Sequence, residues 1–569
     1  YEHWDKLITK EEGLMSFAKT DLWRSTADFR EANGGNCVGH LKVVNCDFSA
    51  VKDQFVYMFE RDTTVYPPLT SSQLAKNDRV ILSDENSMFG LAYGQIKLLR
   101  SDVIVIITDR NWSNSAVRMA DFDAKNNQTF RSVLRTSSQN DGNSTSQLSQ
   151  PLSKYITSKS FRIDKDQMFH GMAMARFNLL NLFLPEGDSK SRELIVELKE
   201  PKLSKTREFE YDIARLKLNE DQIRAVEIAA RIEDYCLILG MPGTGKTTVI
   251  SSIVDSIVQS GMTVLISSYT HSAVDNICEK LIKNAESRKQ KLPLLRVGSP
   301  ARISPIVKSY SLYNEEFDNS INDKSEFQDI VNDCQIVAAT CLGLNDVVFG
   351  TGKRFDYCII DEASQVTLPV VLGPIAFSDK FILVGDHYQL PPLVLHPEAK
   401  QEGLDRSLFK ILSEAHPSSV IELTHQYRMC SDIMSLSNEL IYDGRLKCGS
   451  EEVATKMLNI PYLDSLPIDG TCIKDMLDPK RRVIFVNEDA IPSLHEVSVG
   501  DKVQNPGEAK LITILIKVML MGGIEQENIG VMSFYKAQLR HFFVSLAKYK
   551  DIEILTADRF QGRDKDVII

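Results

Sequence analysis

"YCLILGMPGTGKTTVI", residues 235–250, is the stretch on which the architecture turns. Tyr235 to Leu239 run without polar alternation, as a strand buried on both faces does. The following "TTVISSIVDSIVQSG" places Ile250, Ile253, Val254 and Ile257 on one helical face and ends at Gly261, a residue suited to closing a helix. Strand, glycine-rich turn and helix, in that order, form the context in which G-x-x-x-x-G-K-[ST] denotes a phosphate-binding loop. Gly240, Gly243 and Gly245 let backbone N–H groups face phosphate oxygens, and the helix N-terminus adds positive potential. Lys246 is placed for the β and γ phosphates and Thr247 for Mg²⁺, with Thr244 and Thr248 completing the nucleotide-binding turn.

Downstream, "TVLISS" (263–268), "FDYCII" (355–360) and "KFILV" (380–384) repeat the unalternating pattern between helical segments, which predicts βαβ units around a parallel sheet. Asp361 ends the second of these runs, at the carboxyl edge where ligands of open α/β sheets bind. It is the expected magnesium partner, and Glu362 the expected general base for an attacking water. A second α/β set is expected from about residue 400, with "RVIFV" (482–486), "IGVMSF" (529–534) and "IEILTADRF" (552–560) as its strands.

Upstream the texture differs. Trp4, Leu7, Ile8, Leu14, Phe17 and Ala18 sit at helical spacing and predict a stalk-like helix over 1–30. Short β-type runs follow ("HLKVVNC", "QFVYMF", "RVILSD", "LAYGQIKLL", "DVIVIIT"), predicting a small barrel over 31–160 that offers a face to single strands. The polar stretch 136–154 reads as a loop or insertion. A helical connector over 161–205 leads to a first P-loop domain over 206–395 and a second α/β domain over 396–569.

Composition narrows the function classes. A chain of 569 residues with 43% hydrophobic content can bury several cores. Its longest apolar run, "LITILIKVMLM" (511–521), is interrupted by Lys517 and falls short of the roughly 18 residues a membrane span needs. Ten cysteines without C-x-x-C spacing favour a reducing compartment and argue against a zinc ribbon or an iron–sulfur cluster within the chain. A net charge of −11 means that any nucleic-acid surface must be local. The opening "YEHWDKL" lacks an initiator Met and the closing "DKDVII" lacks a terminator, so both ends are expected to continue in a longer protein.

Eight blocks between residues 218 and 569 carry a resemblance: "LNEDQIRAV" (218–226), the phosphate loop, "SSYTHSAVDNI" (267–277), "IIDEASQ" (359–365), "LVGDHYQLPPLV" (383–394), "HQYRM" (425–429), "IGVMSFYKAQ" (529–538) and "TADRFQGRDKDVII" (556–569). In that order they resemble the motifs of superfamily-1 helicases of the Upf type, which move 5′ to 3′ on single strands. "RIDKDQMFHGMAMARFNLLNLF" (162–183) and "RVILSDENSMFGLAYG" (79–94) further resemble the eukaryotic DNA replication helicase/nuclease family, a fungal member of it. The resemblance implies two RecA-like domains, the second incomplete, behind a stalk and a barrel. It implies ATP and Mg²⁺ as cofactors, single-stranded DNA, a single-strand-binding protein and replication and repair factors as partners, and a nuclear location. The family's nuclease and its iron–sulfur cluster are expected ahead of Tyr1, and a further motif with a second arginine finger after Ile569, so slow hydrolysis is expected of this stretch alone.

Residue by residue, the resemblance assigns Gln222 to the adenine edge, Gln389 to sensing the γ-phosphate, Tyr427 to stacking on the base and Arg428 to the γ-phosphate as an arginine finger. Tyr269, Thr270, His271, Asn276, Thr340 and Pro391 fall in the blocks that contact the nucleic-acid backbone. Asp564 stands where much of the subgroup has Glu, leaving its role toward ribose or the magnesium waters open. Two other readings stand beside the translocase: a module that binds nucleotide and strand without hydrolysis, and an RNA helicase of the same subgroup. A P-loop kinase leaves "DEASQ" and "GDHYQLPP" without a role.

Overall fold

The computed structural model describes residues 1–34, 37–49, 54–72, 74, 78–85, 88–108, 159–165, 170–184, 189–206, 208–209, 217–298, 302–311, 324–344, 348–468, 472–487, 491, 494–499 and 502–569. The polar stretch 136–154 lies outside them. Two units are distinguished, one of residues 1–176, 299–302 and 394–402, the other of 177–298, 303–393 and 403–569.

In the first unit, alternating side chains close a barrel of six antiparallel strands: β1 (Cys37–Ser49), β2 (Gln54–Glu60), β3 (Arg79–Asp84), β4 (Met88–Leu99), β5 (Val103–Thr108) and β6 (Phe161–Lys165), in the order β1-β2-β5-β4-β3-β6. Tyr57 and Phe59 of β2, Ile104 and Ile106 of β5, and Phe161 and Ile163 of β6 alternate into one core with Val80, Leu82 and Ile96. The closing strand corrects the boundary expected at 160, since "FRIDK" belongs to the barrel and not to a helical connector. It pairs with β1 (Leu41↔Phe161) and with β3 (Leu82↔Ile163). Its outward Arg162 and Asp164 are themselves buried and paired at 2.7 Å, with Arg30 2.8 Å from the other Asp164 oxygen, so two charges mask a strand. The first helix (Glu2–Arg24) buries Leu7 and Ile8. Its Glu11 accepts from the N–H groups of Leu395 and His396, and Lys10 lies 2.5 Å from Glu402, which joins segment 394–402 to this helix.

In the second unit, seven parallel strands form a sheet in the order β13-β7-β12-β11-β8-β10-β9, from β7 (Tyr235–Gly240), β8 (Val264–Ser268), β9 (Leu294–Arg296), β10 (Ile336–Thr340), β11 (Phe355–Asp361), β12 (Ser378–Gly385) and β13 (Val420–Leu423). The unalternating runs are buried strands as expected, and Ile253, Val254, Ile257, Ile277 and Leu281 pack helices onto the sheet. β13 lies beyond the boundary expected at 395: "VIEL" pairs with β7, Leu423 opposite Gly240, and so extends the first sheet.

A smaller parallel sheet orders strands Glu553–Thr556, Ile529–Ser533 and Val567–Ile568. Ile516, Val531, Phe542 and Ile554 build its core. "RVIFV" forms no strand, contrary to expectation; Phe485 is 90% exposed, because an apolar run needs a partner edge to become one and this run pairs with no described strand. "LITILIKVMLM" lies in helix Pro506–Met521, and no helix among the described residues is long and apolar enough to cross a membrane.

Candidate functional site

The phosphate loop leaves β7 at Gly240 and enters helix Lys246–Gln259 through Gly245, whose φ of 81° is open to glycine. Lys246 folds back over the loop, its Nζ 2.9 Å from the carbonyl of Gly240 and 3.9 Å from Glu362 Oε1. A Cβ at Gly240 would lie 2.2 Å from Lys246 Cγ, so the absence of a side chain there is what gives the lysine its place. Thr244 turns its hydroxyl inward to the carbonyl of Met241, while Thr247 and Thr248 open the helix. Gln222 serves the loop directly. Its Nε2 donates to the Thr244 carbonyl at 3.0 Å, and its Oε1 accepts from the N–H of Asn219, which caps helix Glu220–Arg231 reciprocally.

Asp361 closes β11 and Glu362 follows with φ 52°, a strained left-handed conformation for a residue with a side chain. Burial, reinforced by the adjacent Glu362 carboxylate, pushes Asp361 well above the usual carboxylate range against the pull of Lys246. Glu362 Oε2 accepts from Gln365 at 2.8 Å. After β12, buried Asp386 takes hydrogen bonds from Gln389 Nε2 at 2.7 Å and from the Tyr442 hydroxyl at 2.8 Å, and Gln561 Nε2 donates to Gln389 Oε1 at 3.2 Å. The glutamine expected to sense phosphate is thus held from both α/β domains.

"HQYRM" crosses to the P-loop. The N–H of Tyr427 donates to the Gly243 carbonyl at 2.8 Å, and the Tyr427 hydroxyl accepts from Asn219 Nδ2. Gln426, fully buried, accepts from the N–H groups of Arg428 and Met429 and so shapes the loop that presents the arginine. Arg428 Nε lies 2.5 Å from Asp564 Oδ1, with both side chains substantially exposed. Asp221 anchors the crossing by accepting from the N–H and hydroxyl of Thr424 beside His425. Burial works against its charge, but these partners outweigh it and hold Asp221 below the usual carboxylate range.

At Gly243, φ is 74° and a Cβ would meet Arg428 Cβ at 2.7 Å. Gly243→Ala is expected to cost about 1–3 kcal/mol locally and to raise the ATP concentration for half-maximal turnover. Unchanged thermal unfolding together with unchanged ATP response would show that the turn yields freely.

Tyr269, Thr270, His271 and Asn276 follow β8, and Thr340 ends β10, where it is the register partner of Ser268. These five residues therefore leave the same edge of two neighbouring strands. Thr270 spends its hydroxyl capping helix His271–Ser287, while Tyr269 and Asn276 are exposed. Pro391, also exposed, follows β12 two positions across the sheet, and no described contact joins it to the other five. Sequence reading passed over Asn219, Asp386, Gln426, Tyr442 and Gln561. Only Asn219 announces itself locally, through the Asn-x-x-Gln capping pattern.

Three family models match stretches of the chain. A Dna2 Rift barrel domain matches residues 27–121, one AAA domain matches 217–328 and 313–397, and another AAA domain matches 404–569. The DNA replication ATP-dependent helicase/nuclease DNA2 of Saccharomyces cerevisiae is 38% identical over 100% of this chain and 39% of its own length. Its counterpart in Schizosaccharomyces pombe is 37% identical over 100% of this chain and 40% of its own length, so the chain spans about two-fifths of either relative. An Arterivirus nonstructural protein 10 helicase solved with DNA shares 14% identity over 60% of this chain and 64% of its own, at a TM-score of 0.26, a likeness too slight to bear on the fold.

Proposed function

Because the chain belongs to the DNA replication ATP-dependent helicase/nuclease family, we propose that it is the motor of such a protein, an ATP hydrolase that moves 5′ to 3′ along single-stranded DNA. One observation carries the reading: the nucleotide residues after β7, β11 and β12 and the strand residues after β8 and β10 share one carboxyl edge, with Arg428 and Gln561 reaching it from the following domain. Lys246 would bind the β and γ phosphates, Glu362 would take the proton of the attacking water, and Arg428 would meet the charge developing on the γ-phosphate. Thr247 and Asp361 are the donors we assign to magnesium, which would neutralise phosphate charge; a cation beside the buried Asp361 would favour its ionised form against the burial and the neighbouring Glu362 that oppose it. Closure of the domains on ATP, and reopening after hydrolysis, would advance the strand.

A nuclease and an iron–sulfur cluster, implied by the resemblance, are proposed for the longer helicase/nuclease and not for the residues of this chain. A single-strand-binding protein and replication and repair factors are the proposed partners, and the nucleus the proposed location. The test is ATP turnover with single-stranded DNA, with single-stranded RNA and with neither, followed by unwinding of duplexes tailed at either end. Stimulation by DNA and unwinding from a 5′ tail are expected; turnover indifferent to any strand would overturn the motor. Strand affinity should ignore base composition and fall steeply with salt, since each neutralised phosphate contributes about −0.7 to the log–log slope on single strands. A flat salt response would remove the phosphate track.

A further inference from the structure

Beneath the block 269–276 lies an arginine that no nucleotide step uses. Arg296, at the end of β9, is fully buried, and its guanidinium joins helix His271–Ser287, β10 and the residue that follows β9. Nε donates to Asp275 Oδ1 at 2.7 Å, within helix His271–Ser287. Nη1 donates to the carbonyls of Val297 at 2.5 Å and of Ala338, in β10, at 3.3 Å. Nη2 lies 3.2 Å from His271 Nδ1. The second oxygen of Asp275 accepts from the N–H of Ser304 at 2.8 Å and so pins the returning segment as well.

Two consequences follow from this geometry. A buried ion pair is seldom worth more to stability than well-packed apolar side chains, so a complete arginine–aspartate pair at this depth points to orientation. A guanidinium offers donors only, so Nδ1 of His271 must accept and the imidazole carries its one polar hydrogen on Nε2, as a donor. Gly298, with φ 152°, keeps the ring's space clear: a Cβ there would lie 3.2 Å from His271 Cε1.

We propose that Arg296 is a positioning residue of the single-strand track: with Asp275 it sets the first turn of helix His271–Ser287 against the ends of β9 and β10, and it fixes the ring orientation of His271 through Nδ1. The inference rests on the translocase reading and adds to it a residue outside the eight blocks.

The 569-residue chain and its Arg296→Met and Arg296→Lys variants are compared by the concentrations of oligothymidylate and of ATP that half-saturate turnover, with thermal unfolding recorded alongside. Lysine keeps the charge and can pair with Asp275, but it cannot reach His271 and Ala338 at the same time. In each folded variant the half-saturating strand concentration should rise about tenfold to a hundredfold, with half-saturating ATP changed less than about twofold. Variants that answer to the parent's strand concentrations, or whose ATP and strand requirements rise together, would show that Arg296 only packs. Should Arg296→Met fail to fold, Arg296→Lys decides alone. A parent chain that neither binds oligothymidylate nor responds to it overturns the translocase reading and this inference with it; a responsive parent with equally responsive variants overturns the inference alone.

Discussion

Glu362→Gln should bind ATP as the parent chain does and hydrolyse it about 10² to 10⁴ times more slowly, the range set by losing a positioned general base. The geometry supports a division of labour with Lys246. Glu362 stands outside the P-loop on its own left-handed turn, tethered to Gln365, whereas Lys246 lies over the loop on the carbonyl of Gly240. Glutamine keeps the size and the Gln365 contact of Glu362 but cannot take a proton. Lys246→Ala should instead abolish nucleotide binding, because it withdraws the cation that the phosphates meet. Equilibrium binding of a fluorescent ATP analogue, beside turnover under saturating single strands, distinguishes the two. Equal loss of affinity in both variants would sink the assignment of Glu362 to water.

Arg428→Ala is expected to lower strand-stimulated turnover by about 10³ to 10⁵, the contribution typical of an arginine finger. Its contact with Asp564 does not oppose this role. The side chains are 40% and 63% exposed, and an ion pair so open to solvent binds weakly enough for the arginine to exchange one anion for another. Asp564→Ala should therefore cost far less than Arg428→Ala. Arg428→Lys should recover little, since a point charge cannot reproduce the planar fork that grips phosphate oxygens. Single-turnover measurements at saturating ATP decide between the outcomes. Comparable losses in Asp564→Ala and Arg428→Ala would mean that the pair, and not the free arginine, is what hydrolysis requires.

What the amino-acid sequence determined by itself is local and periodic. Unalternating runs ending at Gly240, Ser268, Asp361 and Gly385 are buried parallel strands, because a strand covered on both faces admits few polar residues. The glycines of the P-loop and the helix behind it are equally local, since they are set by backbone freedom and a 3.6-residue period. Where elements are short or their pairing is distant, only the tertiary structure decided. "FRIDK" closes the barrel with all three of its charges paired, Arg162 and Asp164 to each other and Lys165 to Asp78, "VIEL" joins the first sheet because the edge of β7 accepts it, and "RVIFV" stays outside both sheets. The same holds for the polar couplings around the site. Tyr442 reaches Asp386 across 56 residues and Gln561 reaches Gln389 across 172, while Arg296 gathers Asp275 and His271 of one helix and Ala338 of β10. Periodicity records which face of an element is apolar. It carries no record of which distant polar group a buried donor will meet, and a buried polar group is tolerated only where such a partner is met.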